Sequence, residues 1–165
     1  MAVLPILQWP DPRLTRICDP VPEGQDVRAL VQEMFDTMYA APGRGLAGPQ
    51  VGILQRIFVM DVTWKDGPAD PVACINPEIL SSSEKQATHE EACLSIPGIA
   101  ASVQRPARVR MRWFDADWVA QEAELTGFAA VCAQHEYDHL DGKVIFDRVP
   151  MAARGALEAD YEALR

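Results

Sequence analysis

Residues His135-Glu136-Tyr137-Asp138-His139 spell H-E-x-x-H near the C-terminal end of a 165-residue chain. In a helix, His135 and His139 lie one turn apart on one face. Two imidazoles so placed can grip one transition-metal ion, and Glu136 then stands within reach of a water on that metal. The spacing predicts a helix over Thr126–Leu140. Phe128, Val131, Cys132, His135 and His139 recur at intervals of three and four, the mark of a buried face. No proline interrupts the run, Thr126 supplies an N-cap, and Asp141-Gly142 supplies a stop. A bare H-E-x-x-H also arises by chance on ordinary helices. Here two buried imidazoles and a buried Glu would be costly without partners, which weighs for metal. A catalytic site still needs a third protein ligand and an open position for water.

The length suits one domain with its own core, so a single domain over residues 1–165 is expected. A chain 48% hydrophobic and 24% charged is globular in composition. No apolar run approaches a membrane span, and Met1-Ala2-Val3-Leu4-Pro5-Ile6 lacks the features of a signal peptide. The expectation is a cytoplasmic monomer with no membrane contact. A net charge of −9 argues against direct nucleic-acid binding. Cys18, Cys74, Cys93 and Cys132 are expected as thiols or ligands rather than a disulfide framework.

Residues 1–24, with five prolines, read as an extended arm lying on the domain. Asp26–Tyr39 carries Val27, Leu30, Val31, Met34, Phe35 and Met38 at helical spacing. Gly43–Gly52 is a glycine-rich loop. It formally contains G-x-G-x-x-G, but a helix precedes it and Pro49 follows at once, so a dinucleotide site is excluded. Strands are expected at Arg56–Val62, Val72–Asn76, Glu78–Ser83, Lys85–Glu90, around Val103, and at Ala107–Phe114 and Val119–Leu125. In Ala107–Phe114, Arg108, Arg110 and Arg112 face one way and Val109, Met111 and Trp113 the other. A final helix is expected at Met151–Leu164, with Leu157, Tyr161 and Leu164 on one side. The fold class is therefore α+β: short, mostly antiparallel sheets packed around a central metal-binding helix, with an N-terminal and a C-terminal helix.

Candidates for the third ligand are a thiolate, a carboxylate or His89. Cys132 lies on the same face as His135, but a metal shared by the two histidines sits roughly 7 Å away along the axis, beyond a Cys side chain. Cys132 is better read as a small residue lining the wall. Cys93 follows Glu90-Glu91-Ala92, and negative neighbours raise a thiol pKa. A metal would reverse that. From the residues alone, Cys93 is either an inert thiol or the third ligand.

Three stretches resemble the signature motifs of peptide deformylases. Gly43-Arg44-Gly45-Leu46-Ala47-Gly48-Pro49-Gln50 is similar to glycine-hydrophobic-glycine-hydrophobic-Ala-Ala-x-Gln. Glu91-Ala92-Cys93-Leu94-Ser95 is similar to Glu-Gly-Cys-hydrophobic-Ser, and Gln134–His139 to Gln-His-Glu-x-Asp-His. The resemblance runs from about residue 5 to 150. It implies that Cys93, His135 and His139 hold one divalent metal, Fe(II) in cells, with Zn, Ni or Co as alternatives. It implies an N-formylmethionyl peptide as substrate, Glu136 as the proton carrier, and Gln50 and the Leu94 N–H as donors to the oxyanion. Gly45 would let the peptide backbone approach. Leu46, Phe128, Val131 and Cys132 would line the methionine pocket. Asp138 is expected to pair with an arginine or orient a group, and Glu91 to pair with Arg105.

Gly48 stands where the second Ala of the motif is usual, which is expected to loosen the loop carrying Gln50. Ala92 stands where Gly precedes Cys, and a positive φ there would strain an Ala. Ile99-Ala100 lacks a long polar side chain, and the C-terminal segment is no basic arm. Rival readings are a zinc peptidase drawing its third ligand from Asp147, Glu158, Asp160 or Glu162, a deformylase-like protein that acts on another N-acyl peptide or binds formyl-peptides without efficient turnover, and a purely structural metal site.

Overall fold

The computed structural model describes residues 2–165. Met1, the first residue of the expected arm and domain, lies outside the described residues. Helix α1 spans Arg28–Ala40, α2 Gly127–Leu140 and α3 Met151–Leu164. Strands β1 (Gly45–Ala47), β2 (Ile57–Met60), β3 (Val72–Ser82), β6 (Arg108–Phe114) and β7 (Ala120–Thr126) form one antiparallel sheet in the order β1-β2-β3-β6-β7. Strands β4 (Gln86–Cys93) and β5 (Ile96–Pro106) form a separate two-stranded hairpin.

Alternation along the strands builds two cores, one on each face of the large sheet. Leu46, Ile57, Val59 and Ile75 pack against Val31, Met34 and Met38 of α1. Ala47, Phe58, Met60, Cys74 and Met111 pack against Cys132, Ala133 and Leu140 of α2. β2 is buried at every residue because both faces are covered, which explains its unbroken apolar run. A third core joins the hairpin, through Ile96, Ile99, Ala101 and Val103, to Val144, Ile145 and Phe146 after α2 and to Tyr161 of α3. The α2 helix thus lies between sheet and hairpin, the expected α+β arrangement.

The N-terminal arm is stitched down by backbone bonds: Leu7 N–H donates to Gln50 O, Trp9 N–H to Ser95 O, and Cys18 N–H to Leu140 O. The expected strands at Val72–Asn76 and Glu78–Ser83 are one strand. Asn76 takes φ 49° and absorbs a register shift, while its side-chain amide bonds both Val21 N–H and Val21 O. β5 runs far beyond Val103. Its inward residues include small Ala101 and charged Arg105, so its alternation is faint in hydropathy. Thr126 is at the N-cap position of α2 but makes no side-chain cap bond, and Gly142 closes the helix at φ 75°. All four cysteines are free.

Candidate active site

The β4–β5 hairpin turns at Leu94-Ser95 and delivers Cys93 to the flank of α2. One donor atom from each of Cys93, His135 and His139 lies within 4.8 Å of the others. Cys93 Sγ is 3.4 Å from His139 Nε2. Cys93 therefore resolves as the thiol that joins the histidine pair. Cys132 remains a turn away, with its thiol against the Arg44 carbonyl. His89 is exposed on β4. No carboxylate joins the three donors among the described residues, and Asp147 is engaged with the Val144 N–H and Arg154. This removes the support for a downstream peptidase-type ligand.

The donor set fits a divalent transition metal. A thiol and two imidazoles form a compact, buried triangle, a mixed donor set that suits such ions. Burial first, then the neighbouring His135, pushes the His139 imidazole down to about 3. Burial alone would lower His135 too. The Glu136 charge and the bonds to Cys93 and Glu91 outweigh it and raise the group well above its ordinary value.

Behind the donors runs a chain of ions, buried from Glu91 to Asp138 and reaching the surface at Arg148. His135 Nδ1 lies 3.0 Å from Glu91 Oε1. Arg105 donates to both Glu91 oxygens, at 2.7 and 3.0 Å, and its Nη1 donates to Asp138 Oδ2 at 2.8 Å. Arg148 closes the far end with two bonds to Asp138, at 2.9 and 2.6 Å. The expected pairing of Glu91 with Arg105 and of Asp138 with an arginine is present. The carboxylate on Nδ1 leaves Nε2 of His135 facing the donor triangle and sets its tautomer. Arg148 escaped sequence reasoning because it enters from a 3-10 turn (Ile145–Arg148) with no pattern linking it to Asp138.

Glu136 is 4% exposed, and its Oε1 has no hydrogen-bond partner. Burial pushes its carboxyl up to about 7, against the opposing charge of His135. Gly45 is what admits it: a Cβ on Gly45 would stand 2.5 Å from Glu136 Oε2 and 2.9 Å from Cys132 Sγ. The close approach that requires glycine here is thus to the Glu136 carboxylate.

Gln50 sits in the 3-10 turn Gly48–Val51, 1% exposed. Its Oε1 accepts from the Ala47 N–H at 2.9 Å. Its Nε2 donates to Ser95 Oγ at 3.1 Å and points to Cys93 Sγ at 3.6 Å. Ser95 was not singled out as a partner of Gln50, although it is the last residue of the second motif. Gly48 does not loosen this turn. A Cβ there would meet Ile53 O at 2.6 Å, so the glycine lets residues 53–55 pack closely. Ala92 carries no positive φ; it lies in β4 opposite Ala100.

A cavity of about 670 Å³ opens onto these groups. Gly45, Gln50, Cys93, Leu94, Phe128, Val131, Cys132, His135 and Glu136 all contribute to its wall. Leu46 does not. Strand alternation turns it to the opposite face from Gly45 and Ala47, where it is fully buried against α1. Phe128 is 45% exposed rather than part of a buried face, because it stands at the cavity rim.

The family model for polypeptide deformylases matches residues 3–154. A peptide deformylase of Novosphingobium aromaticivorans is 41% identical, over 100% of this chain and 98% of its own length. A peptide deformylase of Hydrogenovibrio crunogenus is 48% identical, over 90% of this chain and 87% of its own. Among solved structures, peptide deformylase from Ehrlichia chaffeensis in complex with actinonin is similar with a TM-score of 0.90 at 36% identity, covering 100% of this chain and 99% of that one.

Proposed function

The chain belongs to the polypeptide deformylase family, and from that premise we propose that it is a metal-dependent hydrolase that removes the N-formyl group from N-formylmethionyl peptides and releases formate. The observation that carries the reading is the Cys93–His135–His139 donor triangle beside a cavity lined by Cys93, His135 and a buried Glu136 whose Oε1 has no hydrogen-bond partner.

Cys93 Sγ and Nε2 of each histidine are the ligands in this reading. Fe(II) is the ion we propose for the cell, with Zn, Ni or Co able to occupy the same donors. When bound, the metal acts as a Lewis acid and brings the pKa of water toward neutrality. Glu136, with its carboxyl raised to about 7, is matched to accept a proton from the attacking water and hand it to the departing amine. The Gln50 amide is anchored by the Ala47 N–H and Ser95 Oγ, and its Nε2 donates to the oxyanion in place of its 3.6 Å contact with Cys93 Sγ. The Leu94 N–H, in the hairpin turn beside Cys93, is the second donor. Phe128, Val131 and Cys132 form the apolar wall for the methionine side chain. Gly45 contributes backbone to the peptide while making room for Glu136. The protein is proposed to work as a cytoplasmic monomer; no described helix is long and apolar enough to cross a membrane.

The test is formate release from formyl-Met-Ala-Ser, run anaerobically with Fe(II)- or Ni-loaded protein and with Glu136→Ala as control. Turnover that is lost in the control is expected. Protein carrying one metal per chain that releases no formate would overturn the reading.

A further inference from the structure

Arg44 stands where the first deformylase motif has a hydrophobic side chain, and its surroundings give it a task that the chemistry above does not use. Its guanidinium lies over the Phe128 ring, 5.0 Å from the centroid, at the rim of the cavity. Its carbonyl accepts from Cys132 Sγ at 3.5 Å, so its backbone borders the wall assigned to methionine. Among the described residues, the guanidinium makes one side-chain hydrogen bond, Nη2 to Asp66 Oδ2 at 2.8 Å. Asp66 is 74% exposed and Arg44 27%. An exposed pair of this kind is weakly held and readily exchanged for another carboxylate. The remaining guanidinium N–H groups are free to donate.

The segment that presents Arg44 is well anchored. Trp64 Nε1 donates to Gly43 O at 2.9 Å, and Lys65 Nζ donates to Pro42 O at 3.1 Å. Lys65 therefore adds a second cation to the same rim, while Glu90 lines the cavity from β4. In a chain of net charge −9, Arg44 and Lys65 place two cations at the cavity mouth, offset there by Asp66 and Glu90. Phe128 and Arg44 line the same cavity as the apolar wall, so they flank a peptide whose first side chain fills it.

We propose that Arg44 sets a charge preference in the substrate, favouring formylmethionyl peptides with an acidic side chain at one of the two positions after methionine. This rests on the deformylase reading and narrows its substrate class. The peptide carboxylate displaces Asp66 from the guanidinium, which stays stacked on Phe128. No charge is buried, so the effect is moderate and salt-sensitive.

The experiment compares C-terminally amidated formyl-Met-Asp-Ala, formyl-Met-Ala-Asp, their Lys counterparts and formyl-Met-Ala-Ala. kcat/KM is measured with metal-loaded wild type, Arg44→Met, Arg44→Lys and Asp66→Asn. Equilibrium binding of the same peptides to metal-loaded Glu136→Ala is measured alongside. We expect wild type to prefer Asp over Lys roughly five-fold or more at one position, with the ratio shrinking at high salt. Arg44→Met should bring the ratio near one, Arg44→Lys should keep its sign, and Asp66→Asn should raise it. An Asp-to-Lys ratio near one in wild type, or an equal ratio in wild type and Arg44→Met, would overturn the proposal. If Arg44→Met does not fold, a ratio unmoved by Asp66→Asn and by salt does the same. Absence of turnover on every peptide, with charge-dependent binding retained, would remove the deformylase reading and leave the Arg44 preference standing.

Discussion

Two arrays of arginine and carboxylate lie within a few residues of each other and have opposite fates. Arg108, Arg110 and Arg112 on β6 pair with Glu124, Glu122 and Glu78, and every partner is about half exposed. Arg105, three residues earlier at the end of β5, pairs with Glu91 and Asp138, and none of the three side chains is more than 7% exposed. The residue types are the same. What differs is which way the strand's alternation points: Arg105 follows Ala101 and Val103 inward, whereas the β6 arginines alternate with buried Val109 and Met111. Solvent screens the outer ladder, and each of its pairs contributes little. The inner chain is desolvated, so every lone pair and N–H must be matched, and breaking it leaves a charge in apolar surroundings. Its purpose is read from its end. It terminates on His135 Nδ1 and holds a proposed metal ligand in one tautomer and one orientation.

The largest expected effect comes from breaking the inner chain at its centre. Arg105→Ala should cost about 3–5 kcal/mol in urea denaturation, because Glu91 loses both its guanidinium bonds. A loss below about 1 kcal/mol would erase the contrast between the arrays. Next, Glu91→Gln keeps the shape but removes the charge behind His135. We expect metal affinity, measured by competition with a chelator, to fall roughly 10–100-fold.

Acid should destabilise the protein through the inner chain. Burial pushes the Asp138 carboxyl up, but the bonds and charges of Arg148 and Arg105 prevail and hold it below its ordinary value. Glu91 is lowered likewise, against burial, by His135 and Arg105. Folded protein then binds these protons less readily than unfolded protein does. The stabilisation is present above the ordinary carboxylate range and is lost as pH falls below about 4 through the lowered values. Unfolding free energy followed from pH 7 to 3 should drop steeply at the acid end, and less steeply in Arg105→Ala. The smallest effect is expected from Arg110→Ala on the exposed ladder, at most about 1 kcal/mol and shrinking with added salt. A larger loss there would mean that exposure is the wrong way to separate the two arrays.

The site was legible where its residues are close in sequence. His135, Glu136 and His139 need only a helix to converge, and helical periodicity is written in local spacing. The β6 ladder was legible for the same reason, with a period of two. Residues brought together from afar were not. Cys93 had two readings until the hairpin turn set it beside His139. Leu46 was expected on the methionine wall from the family resemblance, but strand alternation sends its side chain to the other core. Gly45 was read as room for substrate, whereas its missing Cβ admits Glu136.

Local periodicity and ordered short patterns carry the α+β class, the helix with H-E-x-x-H, and the family that the three motifs resemble. The tertiary structure alone decided which thiol completes the donor set, that Arg148 closes the ion chain on Asp138, and that Arg44 lies over Phe128 at the cavity mouth. Those facts depend on long-range packing of sheet, helix and hairpin. The distance between two side chains across such a junction is set by the whole core, and no window of neighbouring residues encodes it.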